Sequence, residues 1–218
     1  MTAALSVLQR EHRALAAVLY CFEQVLGEIR LKRLEPDFAL FESILQYIQD
    51  FPDRFHHPKE DEILFPLLRE RAPTVRKTLD ELQEQHHEGV RLTSELRWKL
   101  AAWKDSGDSA FSAFDEAARL FIDGQRRHIA LEEREIIPAA RQALTAWDWA
   151  NVNQAFASND DPLFGRRPKA AFDALFSKIA SLAPEPHGLA ARKEPASRPA
   201  VAERDVDWRT RLVDLHWI

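Results

Sequence analysis

The 218-residue sequence predicts an all-α protein: an antiparallel up-down-up-down four-helix bundle over residues 1–145, short C-terminal helices over 146–182, and a linker with an apolar tail over 183–218. Three observations predict it. Glycine is scarce, 6 residues in all, about 3% where roughly 7% is usual, so a chain full of tight sheet turns is disfavoured. Twelve prolines are present, yet none lies between Pro73 and Pro138, a stretch rich in the strong helix formers Leu, Glu, Gln, Arg and Ala. Large apolar residues recur alternately three and four apart, which is the spacing of one helix face.

The first helix carries its seam on Leu5, Leu8, His12, Leu15, Leu19, Phe22, Leu26 and Ile29. Glu35-Pro36-Asp37 turns the chain into a second helix, because proline suits a first helical turn and an acid suits the positive end of the helix dipole. That helix shows Phe38, Phe41, Ile44, Leu45 and Ile48, and Pro52 and Pro58 then predict a kink or short break near Phe51 to Pro58. Helical spacing resumes at Ile63, Leu64, Leu67 and Leu68, and Arg71-Ala72-Pro73 closes it. The third helix reads Leu79, Leu82, His86, Gly89, Thr93, Leu96, Leu100 and Trp103, and stops at Asp105-Ser106-Gly107-Asp108. The fourth runs from about Ser109 to Ala143, with Phe111, Phe114, Ala118, Phe121, Gln125, His128 and Glu132 along its seam. Trp147 to Ala157 reads as one short helix. Pro168 to Leu182 reads as another, with Phe172, Leu175, Phe176 and Ile179 on one face. From Ala183 to Asp205 the chain is Pro, Ala, Glu and Arg, the composition of an extended linker. Trp208, Leu212, Leu215, Trp217 and Ile218 give the end an apolar character suited to docking back on the bundle or to a protein partner.

Composition narrows the function classes. A formal charge of −5 gives no reason to expect nucleic acid. No apolar run approaches the roughly 18 residues of a membrane span. The single Cys21 sits among Leu19, Phe22 and Val25; it makes no internal disulfide, supplies no cysteine metal cluster, and reads as a buried inert thiol. Met1 to Arg10 lacks the basic-then-apolar pattern of a signal peptide, so the expected location is cytoplasmic.

The two halves of the bundle repeat. Leu8-Gln9-Arg10-Glu11-His12 matches Leu82-Gln83-Glu84-Gln85-His86, and His56-His57-Pro58-Lys59-Glu60 matches His128-Ile129-Ala130-Leu131-Glu132. His12 and His56 are 44 residues apart, His86 and His128 42 apart, and the second histidine of each half precedes a proline, Pro66 or Pro138, by ten. A helix hairpin used twice follows, with pseudo-twofold symmetry.

That repeat carries the chemistry. His12 and His86 interrupt apolar seams, while His56 with Glu60 and His128 with Glu132 are i, i+4 pairs that project from one helix face. In an antiparallel bundle, four imidazoles and two carboxylates converge on the core. Buried without partners, such groups would cost several kcal/mol each. A dication removes that cost. Six donors exceed one tetrahedral zinc and suit two first-row ions, each capped by two imidazoles and bridged to the other by both carboxylates. An added oxide or hydroxide bridge leaves one position open. Mixed nitrogen and oxygen donors in a dry bundle favour iron, with manganese or zinc as alternatives. His57 and His87 sit about 100° from their neighbours on a regular helix and are expected outside the ligand set; rotation of the segment by Pro58 would bring either into a neighbour's place. Asp61, Glu62, Glu133 and Glu135 read as solvated faces, with Glu133 able to orient an imidazole. His187 and His216 lack the pattern.

These residues resemble the hemerythrin-like family, in its HHE cation-binding branch. The resemblance rests on Glu11-His12, on Phe55 through Pro66, on Gln85-His86-His87-Glu88, and on His128 through Glu133, and it spans about residues 1–145. It implies an up-down-up-down bundle around a non-haem di-iron centre, oxo- or hydroxo-bridged, with His12, His56, Glu60, His86, His128 and Glu132 as metal ligands. Oxygen-carrying members have a second histidine one turn after the third-helix histidine, where this chain has Val90, and end on H-x-x-x-x-D where this chain has H-x-x-x-E. The resemblance therefore points away from a reversible oxygen store. It also points away from the iron–sulfur-repair members, whose extra cysteine-containing N-terminal domain has no counterpart before His12. The expected function is binding or sensing of O2, NO or peroxide at an open iron position. The alternatives are a di-iron enzyme consuming O2, peroxide or NO, and an iron storage or delivery module.

Overall fold

The structure, a computed structural model, describes residues 2–158, 161–163 and 169–182. The expected linker, the apolar tail from Trp208, His187 and His216 lie outside those residues. The described chain is helical, with no strand among the described residues. Helix α1 spans Ala3–Arg30 and α2 spans Phe38–Asp50; α3 is the short His57–Lys59 and α4 is Phe65–Arg71. The long α5 covers Arg76–Ser106, α6 covers Phe111–Leu131 and α7 covers Ile137–Ala143. Helices α8, Ala146–Phe156, and α9, Asp173–Leu182, follow. No described helix is long and apolar enough to cross a membrane.

Local chemistry sets these boundaries. Asp37 caps α2 by accepting the Leu40 N–H at 3.0 Å. Gly107 ends α5 with φ +67°, a left-handed conformation that side chains with a Cβ rarely adopt. Thr145 and Asp148 form a reciprocal capping box that starts α8.

The disturbance expected between Phe51 and Pro58 is one turn residue, Phe51, followed by a five-residue π turn, Pro52–His56, rather than an open break. The same widening recurs at Glu60–Leu64 and at Glu132–Ile136. In each, an N–H reaches back five residues: His57 to the Pro52 carbonyl, Phe65 to Glu60, Ile137 to Glu132. Pro58, Pro66 and Pro138 each lie two residues past such a turn. A proline inside a regular helix lacks the N–H and crowds the carbonyl four residues back; one wider turn accommodates both while the rod continues.

The segments Phe38–Arg71 and Phe111–Ala143 therefore act as long rods beside α1 and α5. Contacts close a ring: α1 with α2, α2 with α5, α5 with α6, and α6 with α1, while α4 packs on α5 and α7. Two apolar clusters fill the ring. One holds Phe22, Phe41, Trp103, Phe114 and Phe121 with the second half of α1. The other holds Leu5, Leu8, Phe65, Leu68, Leu79, Leu82, Ile136 and Phe156. Each fully buried Leu or Phe contributes about 1.5–3 kcal/mol. Helices α8 and α9 both pack on α1. Asn153 accepts the Ala4 N–H at 2.8 Å, and Leu175 and Ile179 join the first cluster.

Between the clusters every rod carries polar residues. Going along the chain, α1 passes from the Leu8 cluster through Glu11 and His12 to the Leu15 cluster; the second rod passes from Phe51 through His56 and Glu60 to Leu64, in the opposite order. The next two rods repeat that alternation, from Leu82 through His86 to Leu96, then from Phe121 through His128 and Glu132 to Ile136. A single polar layer thus crosses the interior.

Candidate metal centre

The layer is built from α1 (Glu11, His12), the π turns (His56, Glu60, Asp61, Glu132, Glu133), α3 (His57), α5 (Gln85, His86) and α6 (His128). The structure brings together all six residues that the sequence singled out, His12, His56, Glu60, His86, His128 and Glu132. With His57, none of the seven is more than 4% exposed.

Each of the four seam and pair histidines turns its Nδ1 outward to one oxygen. His12 meets Glu133 at 2.8 Å, His56 meets Glu11 at 2.8 Å, His86 meets Asp61 at 2.9 Å, and His128 meets the Gln85 side-chain carbonyl at 3.0 Å. Donation of Nδ1–H to these oxygens assigns the tautomer and leaves Nε2 free to face the middle of the layer. There His12 Nε2 lies 3.0 Å from Glu132, His56 Nε2 3.4 Å from Glu60, His86 Nε2 3.6 Å from Glu60, and His128 Nε2 3.5 Å from Glu132. The repeat maps each of these contacts onto its partner in the other half.

The middle is short of partners. His12 Nε2, Glu60 Oε2, both Glu132 oxygens and both ring nitrogens of His57 are buried without a hydrogen bond. An unsatisfied buried polar group costs about 1–3 kcal/mol, and native interiors hold few of them. His86 Nε2 and His128 Nε2 sit 3.2 Å apart, two nitrogens whose lone pairs need a proton or a cation between them. The donor atoms fall into three groups, each with all members within 4.8 Å of one another: His12, His56, Glu60 and Glu132; Glu60, His86, His128 and Glu132; and His57, His86 and His128. The first two share both glutamates. Two imidazoles on each side and two carboxylates common to both fit a pair of first-row cations.

Electrostatics describe the same demand. Burial raises Glu60 well above the usual carboxylate range, and the carboxylates of Glu132, Glu11 and Asp61 add to it. Burial opposes charge on His12, but the Glu132 carboxylate close to its Nε2 and the Glu133 carboxylate at its Nδ1 outweigh that and push it up to about 9. Glu132 is held well below its ordinary range: burial acts against its charge, and the imidazoles of His128 and His12 more than offset it. Burial lowers His57 strongly, and lowers His128 to about 4 against the pull of Glu132. Buried carboxylates and imidazoles crowded together in this way call for compensating positive charge in the middle of the layer.

Of the residues beside the six, His57 is buried in the layer. Its ring stacks on His86 at 4.2 Å and 15°, and its Nδ1 lies 3.8 Å from Asp53. His87 is exposed, as is Val90. Asp61, expected on a solvated face, holds His86, and Glu133 orients the His12 imidazole as the sequence reading allowed. Glu135 accepts from the Thr78 hydroxyl at 2.7 Å. The roles of Glu11 and Gln85 were missed, although the repeat places an acid or amide directly before each seam histidine. Cys21 is fully buried, and burial pushes its thiol up to about 12, which keeps it an inert neutral thiol.

Comparison with known proteins agrees with this geometry. The family described as Hemerythrin HHE cation binding domain matches residues 3–140. Uncharacterized proteins of Mycobacterium bovis and of two Mycobacterium tuberculosis strains are each 28% identical over 183 residues, covering 80% of this chain and 67% of the relative. No solved structure matches significantly. The chain belongs to the hemerythrin HHE cation-binding domain family, which implies binding of metal cations, commonly iron.

Proposed function

We propose that the protein holds two iron ions in the polar layer and binds or senses a small oxidant, O2, NO or peroxide, at an open iron position. His12 and His56 would hold one ion, His86 and His128 the other, and Glu60 and Glu132 would span both. One observation carries this reading: the two donor groups overlap in Glu60 and Glu132, whose inward oxygens lack hydrogen-bond partners. Manganese and zinc are alternatives for the same donors. The alternating passage of the rods through the layer supports an antiparallel up-down-up-down bundle as the frame.

Bound iron supplies Lewis acidity and an electron source. The chain supplies the rest. Glu11, Asp61, Gln85 and Glu133 fix the imidazole tautomers. The two apolar clusters exclude water from either end of the layer. Metal analysis tests the reading, followed by anaerobic titration with NO and by exposure to O2 or peroxide. Stoichiometric binding with a spectral change supports sensing. Multiple-turnover consumption would instead make the protein an enzyme, and rapid loss of iron to a chelator would point to delivery.

A further inference from the structure

We propose that the cleft between α2 and α5 binds a small organic carboxylate, anchored by the Arg97 guanidinium with the Ser43 hydroxyl as a second donor. The site is separate from the polar layer and does not rest on the metal reading. Arg97 lies three helical turns past His86 on α5, about 16 Å of rise.

The cleft encloses about 510 Å³, a size typical of small-molecule sites. Leu100 and Phe172, the latter from the turn ahead of α9, give it an apolar wall, and Ser43, Gln46 and Arg97 give it a polar side. Two atoms on that polar side, Arg97 Nε and Ser43 Oγ, are buried without a hydrogen bond. Buried polar groups are normally paired, so two orphans beside one cleft call for an acceptor.

Other arginines of the chain show what the edge formed by Nε and Nη2 takes. Arg30 lays both nitrogens on the two oxygens of Asp115, at 3.1 and 2.8 Å, and Arg71 lays them on Asp148, at 3.0 and 3.4 Å. Arg91 holds Glu88 in the same way, at 2.8 and 2.6 Å. On Arg97 the Nη2 meets only the Gln46 side-chain oxygen, at 3.1 Å, and the Nε meets nothing. One neutral oxygen thus occupies an edge shaped for two charged ones. The acids of the cleft are placed otherwise: Glu42 pairs with Lys104 at 3.1 Å, and Asp105 is exposed near the end of α5. A carboxylate entering the cleft displaces the Gln46 oxygen, takes Nε and Nη2 together, and accepts the Ser43 hydroxyl. A single planar cation beside an apolar wall suits a carboxylate on a hydrocarbon body better than phosphate, whose further oxygens need further donors.

Titration of the full-length protein with benzoate and with hexanoate, read by calorimetry and by shifts of the Leu100 and Phe172 resonances, tests this. At least one should bind, with its neutral amide about tenfold weaker or more. Arg97→Gln should weaken the carboxylate about tenfold or more while helicity and metal content stay unchanged. Gln46→Glu supplies that edge with a carboxylate of the chain itself and should block binding, whereas Gln46→Ala removes the competing oxygen and should tighten it. These two variants carry the test if Arg97→Gln fails to fold. Failure of both acids to bind the folded wild type would overturn the proposal. So would binding undiminished in Arg97→Gln and Gln46→Glu, as expected of a carboxylate held by a metal ion instead. Inorganic phosphate binding more tightly than either acid, with the same dependence on Arg97, would overturn the choice of a carboxylate.

Discussion

The two halves of the polar layer are built alike and finished differently. Glu11 backs His56 as Gln85 backs His128, and Glu133 backs His12 as Asp61 backs His86. The inward contacts follow the same rule, from 3.0 to 3.6 Å. The halves part at Glu11 against Gln85, an acid against an amide, and at His57 against Ile129. The hairpin repeat thus fixes where donors converge, and these two differences mark where the halves are not equivalent.

The largest expected effect falls on what the halves share. Glu60→Ala or Glu132→Ala removes a donor common to both groups, so uptake of both ions should fail together, read as metal per chain after loading and desalting. Loss of only one ion would show that the halves do not share that carboxylate. Next come the donors private to one half. His56→Ala and His128→Ala should each cut affinity at one position and lower the melting temperature of the metal-loaded form, because ion binding stabilises only the folded chain. His87→Ala, on an exposed ring, should change neither. Below these stand the outer oxygens: Glu133→Ala or Asp61→Ala should weaken binding about 10–100-fold by freeing the imidazole, measured by competition with a chelator. Similar losses from the two variants would support equivalent outer arrangements; very different losses would break the comparison.

The smallest effects belong outside the layer. Thr145→Ala removes the cap of α8 and should cost about 1 kcal/mol in thermal or denaturant unfolding, with metal stoichiometry unchanged. Asp148 is held down to about 2 from its ordinary value by Arg71 and Thr145. Its contribution is complete above about pH 4 and fades as pH falls toward 2, where the folded form also takes up the proton. Asp148→Asn should therefore flatten that part of the acid-unfolding profile of the metal-free protein.

Much of this was legible in the sequence because it rests on spacing. The alternating seams located the rods, and the duplicated H-x-x-x-E pairs located Glu60 and Glu132. Of the π turns, only the first was foreshadowed, as the kink expected near Phe51 to Pro58; the other two replace a regular turn without any change in composition. Their trace was the six-residue interval from Glu60 to Pro66 and from Glu132 to Pro138. The burial of His57 was obscured for the same reason: the 100° step assumes a regular helix, and the π turn Pro52–His56 ends just before it. Asp61 looked like surface because its charge was read without the histidine opposite, on α5.

Iron quantitation after anaerobic loading, with spectra taken before and after admission of air, tests the central claim most directly. The account predicts two irons per chain and ferric charge-transfer absorption growing in the near ultraviolet on oxidation. A chain that folds fully, stays helical and retains no iron would contradict it.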